Sequence, residues 1–176
     1  MVKVVFLDRD GVINRKAPEG QYITRWEDFE FLSGVEQAIV QLHRAGYVVI
    51  VASNQRGVAR GFLSLAELEE IHQRMLAHLS AAGTSIDAVY FCPHDLEPPC
   101  ACRKPAPGML LQAARDHGID LSASWIVGDS DIDVQAGKNA GCRTIRVLRQ
   151  GMTVGNAADL TVGSLLEASE ALSKLN

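Results

Sequence analysis

A short apolar run near the amino terminus, Val4–Leu7, ends at Asp8 and Asp10, two aspartates one residue apart that precede Gly11. Four apolar residues before such a turn are typical of a buried strand in a parallel sheet. Ligands of open α/β sheets bind beyond the carboxyl ends of the strands. Two carboxylates buried there need a cation, or a proton on one of them, because burying like charges is costly. The alternative is an Asp-Gly turn that only joins a strand to a loop.

Strand-like and helix-like segments alternate along the rest of the chain. We predict strands at Val4–Leu7, Tyr47–Ala52, Ala88–Cys92, Trp125–Val127 and Thr144–Leu148. We predict helices at Val35–Ala45, from the Ser64 N-cap to roughly Ala82, at Gly108–His117, at Val134–Ala140 and at Leu165–Leu172. Repeated β-α-β units predict a single Rossmann-like α/β domain over residues 1–176, with a mainly parallel sheet and helices on both faces.

The composition narrows the function classes. The 176 residues carry a net charge of −4, so no basic surface indicates binding to nucleic acid. No apolar stretch approaches the roughly 20 residues of a membrane span, and no leader resembles a signal peptide. We therefore expect a cytoplasmic protein without a membrane or nucleic-acid partner. In a reducing compartment its four cysteines are expected to be free or metal-bound rather than paired in disulfides.

Polar groups suited to phosphate chemistry follow several of the predicted strands. They are Asp8 and Asp10 after the first strand, Ser53 and Asn54 after the second, Arg103 and Lys104 before a helix, and the run Gly128-Asp129-Ser130-Asp131-Ile132-Asp133 after the fourth. Each alone has a plainer explanation, as a turn, a solvated surface or a helix N-cap. Because parallel strands end at one edge of a sheet, these groups are expected to converge.

This set of motifs resembles the haloacid dehalogenase superfamily of phosphohydrolases. The family's motifs are an Asp-x-Asp-Gly after the first strand, a Ser or Thr after the second, a Lys before a helix, and Gly-Asp-x-x-x-Asp. They are matched here by Asp8-Arg9-Asp10-Gly11, Ser53, Lys104, and Gly128-Asp129 with Asp133. The resemblance covers nearly the whole chain and implies a phosphatase.

The resemblance also implies a role for each matched residue. Asp8 would attack phosphorus to give an aspartyl-phosphate, and Asp10 would act as general acid and then as general base. Mg²⁺ would be held by the carboxylates of Asp8 and Asp129 and by the backbone carbonyl at Asp10. Ser53 and Lys104 would hold the transferring oxygens.

Two further positions of the last motif have less definite roles. Asp133 is expected to orient its neighbours rather than to bind metal. Ser130 stands where some relatives carry Lys. The segment Asn14–Phe31 is long enough for the family's small flap, and the second and third strands are separated by little more than one helix, so we expect no large cap domain.

A second motif is rich in metal ligands. Cys92, His94, Cys100 and Cys102 lie within eleven residues, as two close pairs. Three thiolates and one imidazole form a tetrahedral structural zinc site with no position left for a substrate. Such a Zn²⁺ loop would fix the segment that carries Lys104. The alternative is a set of buried thiols beside a surface histidine.

The zinc loop narrows the resemblance to the branch that contains the phosphatases of heptose 1,7-bisphosphate and of histidinol phosphate. The segment Asn54–Gly61 resembles the heptose enzymes, because histidinol enzymes typically lack its Arg60. The expected reaction is therefore removal of the 7-phosphate of a heptose bisphosphate by a monomeric enzyme. Asn54, Gln55, Arg60 and Arg103 are the expected substrate-binding residues. Hydrolysis of histidinol phosphate, and a non-catalytic binding module with the same fold, are the alternatives.

Overall fold

Six parallel strands form the sheet at the centre of the described part of the chain, which is residues 2–148, 151, 155 and 157–175 of a computed structural model. The strands are β1 (Val4–Leu7), β2 (Val48–Asn54), β3 (Ala88–Cys92), β4 (Trp125–Gly128), β5 (Arg143–Val147) and β6 (Leu160–Val162). The helices are α1 (Val35–Arg44), α2 (Leu65–Ala81), α3 (Gly108–His117), α4 (Asp131–Ala140) and α5 (Leu165–Ser173). Short 3₁₀ turns lie at Trp26–Asp28 and Leu121–Ala123.

The strand order is β3-β2-β1-β4-β5-β6, and every pair is parallel. Strand β1 lies between β2 and β4 and is fully buried. Its side chains alternate between two cores: Val5 and Leu7 pack on the side of α1, α2 and α5, whereas Val4 and Phe6 pack on the side of α3 and α4. Both faces of the sheet are thus covered by helices, which confirms the predicted α/β architecture.

The structure differs from the predicted elements mainly near the carboxyl terminus. The strand Leu160–Val162 was not predicted, because its three residues are too few for a clear apolar pattern. Helix α4 begins at Asp131 rather than Val134, because Ser130 and Asp133 form a capping box that starts the helix earlier. The other predicted strands and helices are found with boundaries shifted by at most two residues.

No cap domain interrupts the described residues. Between β1 and α1 the chain forms a flap of irregular structure with one 3₁₀ turn, and between β2 and β3 it holds helix α2 alone. The described helices include none that is both long and apolar enough to cross a membrane.

The topology brings three strand ends together. The end of β1 lies between the ends of β2 and β4, so Asp8, Asn54 and Asp129 meet at one edge of the sheet. Two glycines permit the close approach there. A Cβ atom on Gly11, whose φ is 102°, would lie 2.2 Å from an Asp129 carboxylate oxygen, and one on Gly128 would lie 2.1 Å from Cβ of Asp133.

Helix α4 is held against the sheet through Gly137. A Cβ atom there would lie 2.3 Å from a methyl group of Ile126 and 2.7 Å from that of Thr144. Gly137→Ala should therefore destabilise the protein by about 1–3 kcal/mol, the usual cost of overpacking a core. Gln135→Ala, at a partly exposed position of the same helix, should cost under about 0.5 kcal/mol. Urea unfolding of both variants measures the difference, and equal stabilities would contradict this account of the helix contact.

Candidate active site

A buried lysine joins two carboxylates at the centre of the site. Nζ of Lys104 donates to Oδ1 of Asp8 at 2.9 Å, to Oδ1 of Asp133 at 2.6 Å and to the carbonyl oxygen of Ala52 at 2.7 Å. Only 2% of Lys104 is exposed. Burial alone would lower the pKa of this ammonium, but the charges of Asp133 and Asp8 and their hydrogen bonds raise it overall. Lys104 therefore stays positive and fixes the position of the Asp8 carboxylate.

The backbone of Lys104 is fixed as firmly as its side chain. Its N–H donates to Oδ1 of Asn54, and Nδ2 of Asn54 donates back to its carbonyl oxygen, both at 3.0 Å. This reciprocal pair joins the end of β2 to the loop before α3. The predicted substrate ligand Asn54 thus also determines where the lysine enters the site.

The buried Lys104 faces three carboxylates, which follow the ends of β1 and β4 or lie in the first turn of α4. Ligand oxygens of Asp8, Asp129 and Asp133 lie within 4.8 Å of one another. Burial and then the charge of Asp133 raise the pKa of Asp8 to about 7, although Lys104 opposes the shift. The flap contributes Lys16, whose Nζ lies 3.3 Å from one oxygen of Asp129. A hard cation with oxygen ligands, such as Mg²⁺, would relieve the repulsion, so the donor set fits this ion.

Asp133 is already engaged within this group. Besides Lys104, its carboxylate accepts bonds from the backbone N–H and the hydroxyl group of Ser130, at 3.1 and 2.6 Å. Burial would raise its pKa, but Lys104 and Ser130 lower it overall. These contacts fix the Asp133 carboxylate between Lys104 and the start of α4.

Asp10 lies apart from these three carboxylates. It accepts hydrogen bonds from the Arg9 guanidinium, from Nδ2 of Asn14 at 2.9 Å and from Nε2 of Gln55 at 2.9 Å. Burial would raise its pKa, but the charge of Arg9 and the bonds from Asn14, Arg9 and Gln55 lower it overall. Nε2 of Gln55 also donates to Oγ of Ser53 at 2.8 Å, so the same amide connects the predicted acid/base residue with the second motif.

These groups open into a cleft of about 350 Å³. Its floor contains Asp8, Asp10 and Lys104, and one wall is the flap segment 16–23. The other lining residues are Asn54, Gln55, Arg56, Arg103, Ser130, Ile132 and Asp133.

Three predicted site residues, Ser53, Arg60 and Asp129, are not among those that line the cleft. Ser53 is fully buried beneath it. Arg60 is exposed, and its guanidinium lies over the ring of Phe62 at 5.9 Å from the centroid. The cations that reach the cleft beside Lys104 are instead Arg103, Arg56 and Lys16.

The four predicted zinc ligands converge on one point. The Sγ atoms of Cys92, Cys100 and Cys102 are 3.1–3.5 Å apart, and Nδ1 of His94 lies 3.5 Å from Cys92 and 3.2 Å from Cys102. Ligands about 2.3 Å from a tetrahedral zinc are roughly 3.8 Å apart, so these donors are close enough to share one ion. All four described cysteines are free of disulfides, and Cys142 is buried elsewhere.

The Cys/His loop is coupled to the cleft through two arginines. Nε of Arg56 donates to Oδ1 of Asp95, and Nη1 of Arg103 donates to the carbonyl oxygen of His94 at 3.3 Å. A Cβ atom on Gly108 would lie 2.1 Å from the carbonyl oxygen of Ala101, so the loop packs directly on the start of α3. A metal bound in this loop would therefore set the position of both guanidinium groups.

Three polar residues of the site were not predicted from the sequence. Arg9 and His72 form a buried pair behind Asp10, and Lys16 contacts Asp129. The positive charge of Arg9, placed between the two aspartates of the first motif, was an available signal. His72 lies on the buried face of an amphipathic helix, 63 residues from Arg9, and no spacing rule connects the two.

The sequence of this chain is similar to one family model and to several known phosphatases. The HAD-hydrolase-like family model matches residues 101–163. The chain is 36% identical to the D-glycero-beta-D-manno-heptose-1,7-bisphosphate 7-phosphatase of Photorhabdus laumondii, over 97% of this chain and 95% of the relative. It is 45% identical to the D-glycero-D-manno-heptose-1,7-bisphosphate 7-phosphatase of Thermosynechococcus vestitus, over 81% of this chain and 77% of the relative.

The fold of this chain is also similar to that of a solved structure. The crystal structure of D,D-heptose 1,7-bisphosphate phosphatase from B. bronchiseptica, complexed with magnesium and phosphate, superimposes with a TM-score of 0.87 and 34% identity. The match covers 99% of this chain and all of that one. The similarity therefore extends over nearly the whole length, in sequence and in fold.

The raised pKa of Asp8 predicts a pH-dependent effect of Asp8→Asn on stability. A carboxyl group whose pKa is higher in the folded state favours folding at a pH below its pKa in the unfolded chain. That contribution is lost as the pH rises through the pKa of the folded state, here between the ordinary value of 3.8 and about 7. Without metal, the melting temperature of Asp8→Asn relative to wild type should therefore be higher at about pH 8 than at about pH 5.

The measurement is thermal unfolding in EDTA at both pH values, repeated with Mg²⁺. Added Mg²⁺ should raise the melting temperature of the wild type more than that of Asp8→Asn, because the variant lacks one carboxylate ligand. A difference between the two proteins that is independent of pH would contradict the raised pKa of Asp8.

Proposed function

Because this chain belongs to the haloacid dehalogenase-like family of heptose bisphosphate phosphatases, we propose that it hydrolyses the 7-phosphate of D-glycero-D-manno-heptose 1,7-bisphosphate. The observation that carries the proposal is the Lys104 bridge between Asp8 and Asp133, at the floor of a cleft that Arg103 also lines. A fixed nucleophilic carboxylate beside a buried cation suits phosphoryl transfer, where catalysis is mostly positioning and charge stabilisation.

In this proposal Asp8 attacks phosphorus and forms an aspartyl-phosphate. Its Oδ1 is bound by Lys104, which leaves Oδ2 to act as the nucleophile. Asp10 must carry a proton before the transfer, and it gives this proton to the departing sugar alkoxide. The resulting carboxylate takes a proton from the water that hydrolyses the intermediate, which restores the acid for the next turnover. Asp10 faces the cleft with Asp8, so one substrate can reach both carboxylates.

Two further groups contact the transferring phosphoryl oxygens. The Lys104 ammonium supplies a positive charge at the floor of the cleft. The Ser53 hydroxyl lies buried beneath this floor and accepts a bond from Gln55, and in this proposal it donates its proton to a phosphoryl oxygen that the substrate places against the floor. Mg²⁺, held by Asp8, Asp129 and the backbone carbonyl at Asp10, would neutralise charge on the phosphate and on the nucleophile.

The choice of a bisphosphate rests on the cations at the cleft. Arg103 and Arg56 line it, and guanidinium groups bind phosphate through paired hydrogen bonds. We assign the non-reacting phosphate to Arg103 and treat Arg60, which lies outside the lining residues, as peripheral. Histidinol phosphate has no second phosphate and carries an amine, so these two cations disfavour it.

We also propose a pathway, a compartment and an oligomeric state for the enzyme. The product, a heptose 1-phosphate, would enter the synthesis of nucleotide-activated heptose for lipopolysaccharide or another surface glycan. The enzyme would act in the cytoplasm as a monomer of one domain, with sugar hydroxyl groups contacting polar flap residues such as Glu19 and Gln21.

The direct test is phosphate release by the wild-type protein from heptose 1,7-bisphosphate, histidinol phosphate and p-nitrophenyl phosphate. We expect the heptose bisphosphate to give the highest kcat/KM and Asp8→Asn to abolish turnover of all three. A preference for histidinol phosphate would replace the proposed substrate. Absence of any Mg²⁺-dependent turnover would favour a binding module.

The zinc assignment predicts a defined metal content. Wild-type protein purified without chelator should contain about one zinc ion per chain, since structural zinc contributes directly to folding. Cys100→Ser should lose zinc and melt at a lower temperature, whereas Cys142→Ala, outside the cluster, should keep its zinc. Elemental analysis and thermal unfolding measure both effects, and zinc-free wild type of unchanged stability would refute the assignment.

The assignment of the second phosphate predicts unequal effects of two arginines. Arg103→Ala should lower kcat/KM for the heptose bisphosphate by about ten- to a hundredfold, because one charge-assisted hydrogen bond is lost. The decrease in kcat/KM for p-nitrophenyl phosphate should be much smaller. The matched control Arg60→Ala should change both substrates little, because this side chain lies over Phe62. A larger selective loss in Arg60→Ala would reverse the assignment.

A further inference from the structure

A fully buried arginine lies behind Asp10. Arg9 follows the first aspartate of the motif directly, and none of its surface is exposed. Nη2 donates to both oxygens of Asp10, at 2.9 and 3.0 Å, and Nε lies 3.3 Å from Oδ1. Burying an arginine away from solvent is costly unless its charge is paired and its N–H groups are hydrogen-bonded. The Arg9 side chain therefore requires that the Asp10 carboxylate stay beside it.

The remaining donor group of Arg9 is bound from another element. Its Nη1 lies 3.2 Å from Nε2 of His72, which projects from the buried face of helix α2. Burial, and then the charge of Arg9, lower the pKa of His72 to about 4, so the imidazole is neutral and Nε2 accepts the bond. The ring of Phe29 lies 5.7 Å from Cζ of Arg9. A helix and the flap therefore hold the guanidinium in place.

This arrangement has two effects on Asp10. A guanidinium that contacts both oxygens of a carboxylate fixes the plane of that carboxylate as well as its position. It also neutralises the charge of Asp10 locally and keeps the side chain out of the group formed by Asp8, Asp129 and Asp133. The carboxylate can then face a leaving group without competing for the metal.

We propose that Arg9, held by His72, is a positioning residue for Asp10, fixing the position and plane of the carboxyl group that exchanges a proton with the leaving oxygen and with the attacking water. The proposal rests on the proposed function, because it assumes that Asp10 is the general acid and base. Asn14 and Gln55 bind the same carboxylate, but neither is charged, and only Arg9 contacts both of its oxygens.

The test uses the difference between leaving groups. A sugar alkoxide needs a proton from Asp10, whereas p-nitrophenolate leaves without one. Arg9→Met should lower the single-turnover rate of a sugar or histidinol phosphate by about a hundredfold or more, the lower range for lost acid catalysis. The burst of p-nitrophenol release should change by less than about threefold. A merely structural role would reduce both rates alike.

Substitutions at His72 test the same idea without altering the motif. His72→Leu removes the acceptor and should give a smaller loss with the same dependence on leaving group, about tenfold for the alkyl phosphate. His72→Gln keeps an acceptor and should recover most of that rate. The matched control is His78→Leu, a change at an exposed histidine of the same helix, which should alter neither rate.

The outcomes separate this inference from the proposed function. Wild type that hydrolyses no phosphate ester would refute the proposed function. Active wild type in which the Arg9 and His72 variants lose equal factors on both substrates, or lose nothing, would overturn the positioning role alone. If Arg9→Met does not fold, the leaving-group dependence of His72→Leu decides the question in the same way.

Discussion

The site depends on one buried ion pair, the Lys104 ammonium between Asp8 and Asp133. Its three short bonds require that the loop before α3 approach the ends of β1 and β2 and the start of α4 together. That approach uses the reciprocal bonds of Asn54 with the Lys104 backbone and the close packing of Gly108 on Ala101. Breaking a buried pair on one side leaves an uncompensated charge, so these contacts support one another.

Around this pair the site holds more negative charge than its buried lysine can offset. Burial, and then this excess of negative charge, raise the pKa of Asp8, and the oxygen ligands of the site favour a divalent cation that would relieve the repulsion. Asp10 avoids the conflict, because the buried Arg9 guanidinium neutralises its charge. Two aspartates one residue apart thus have different pKa shifts, upward for Asp8 and downward for Asp10, in keeping with different chemical tasks.

Much of the active site could be predicted from the sequence, because the carboxyl ends of the strands in a parallel sheet lie at one edge. Asp8, Lys104, Asp129 and the Cys/His cluster are each marked by local spacing. The structure brings Asp8, Lys104 and Asp129 together at the edge of the sheet and the four Cys and His side chains together in their loop. Arg60 has a clear motif, but a motif does not give the direction of a side chain, and here the guanidinium lies over Phe62, outside the residues that line the cleft. The Arg9–His72 contact had no local signal, since a bond across 63 residues follows only from packing. The strand Leu160–Val162 was too short to show a pattern.

The proposed role of Asp8 as the nucleophile can be tested most directly by trapping the covalent intermediate. Asp10→Asn should still transfer the phosphoryl group of p-nitrophenyl phosphate, whose leaving group needs no proton, but should hydrolyse the phosphoenzyme slowly. Acid-quenched protein examined by peptide mass spectrometry should therefore carry one phosphoryl group on the peptide that contains Asp8. Release of p-nitrophenol without any covalent phosphate, or with phosphate on another residue, would contradict the account.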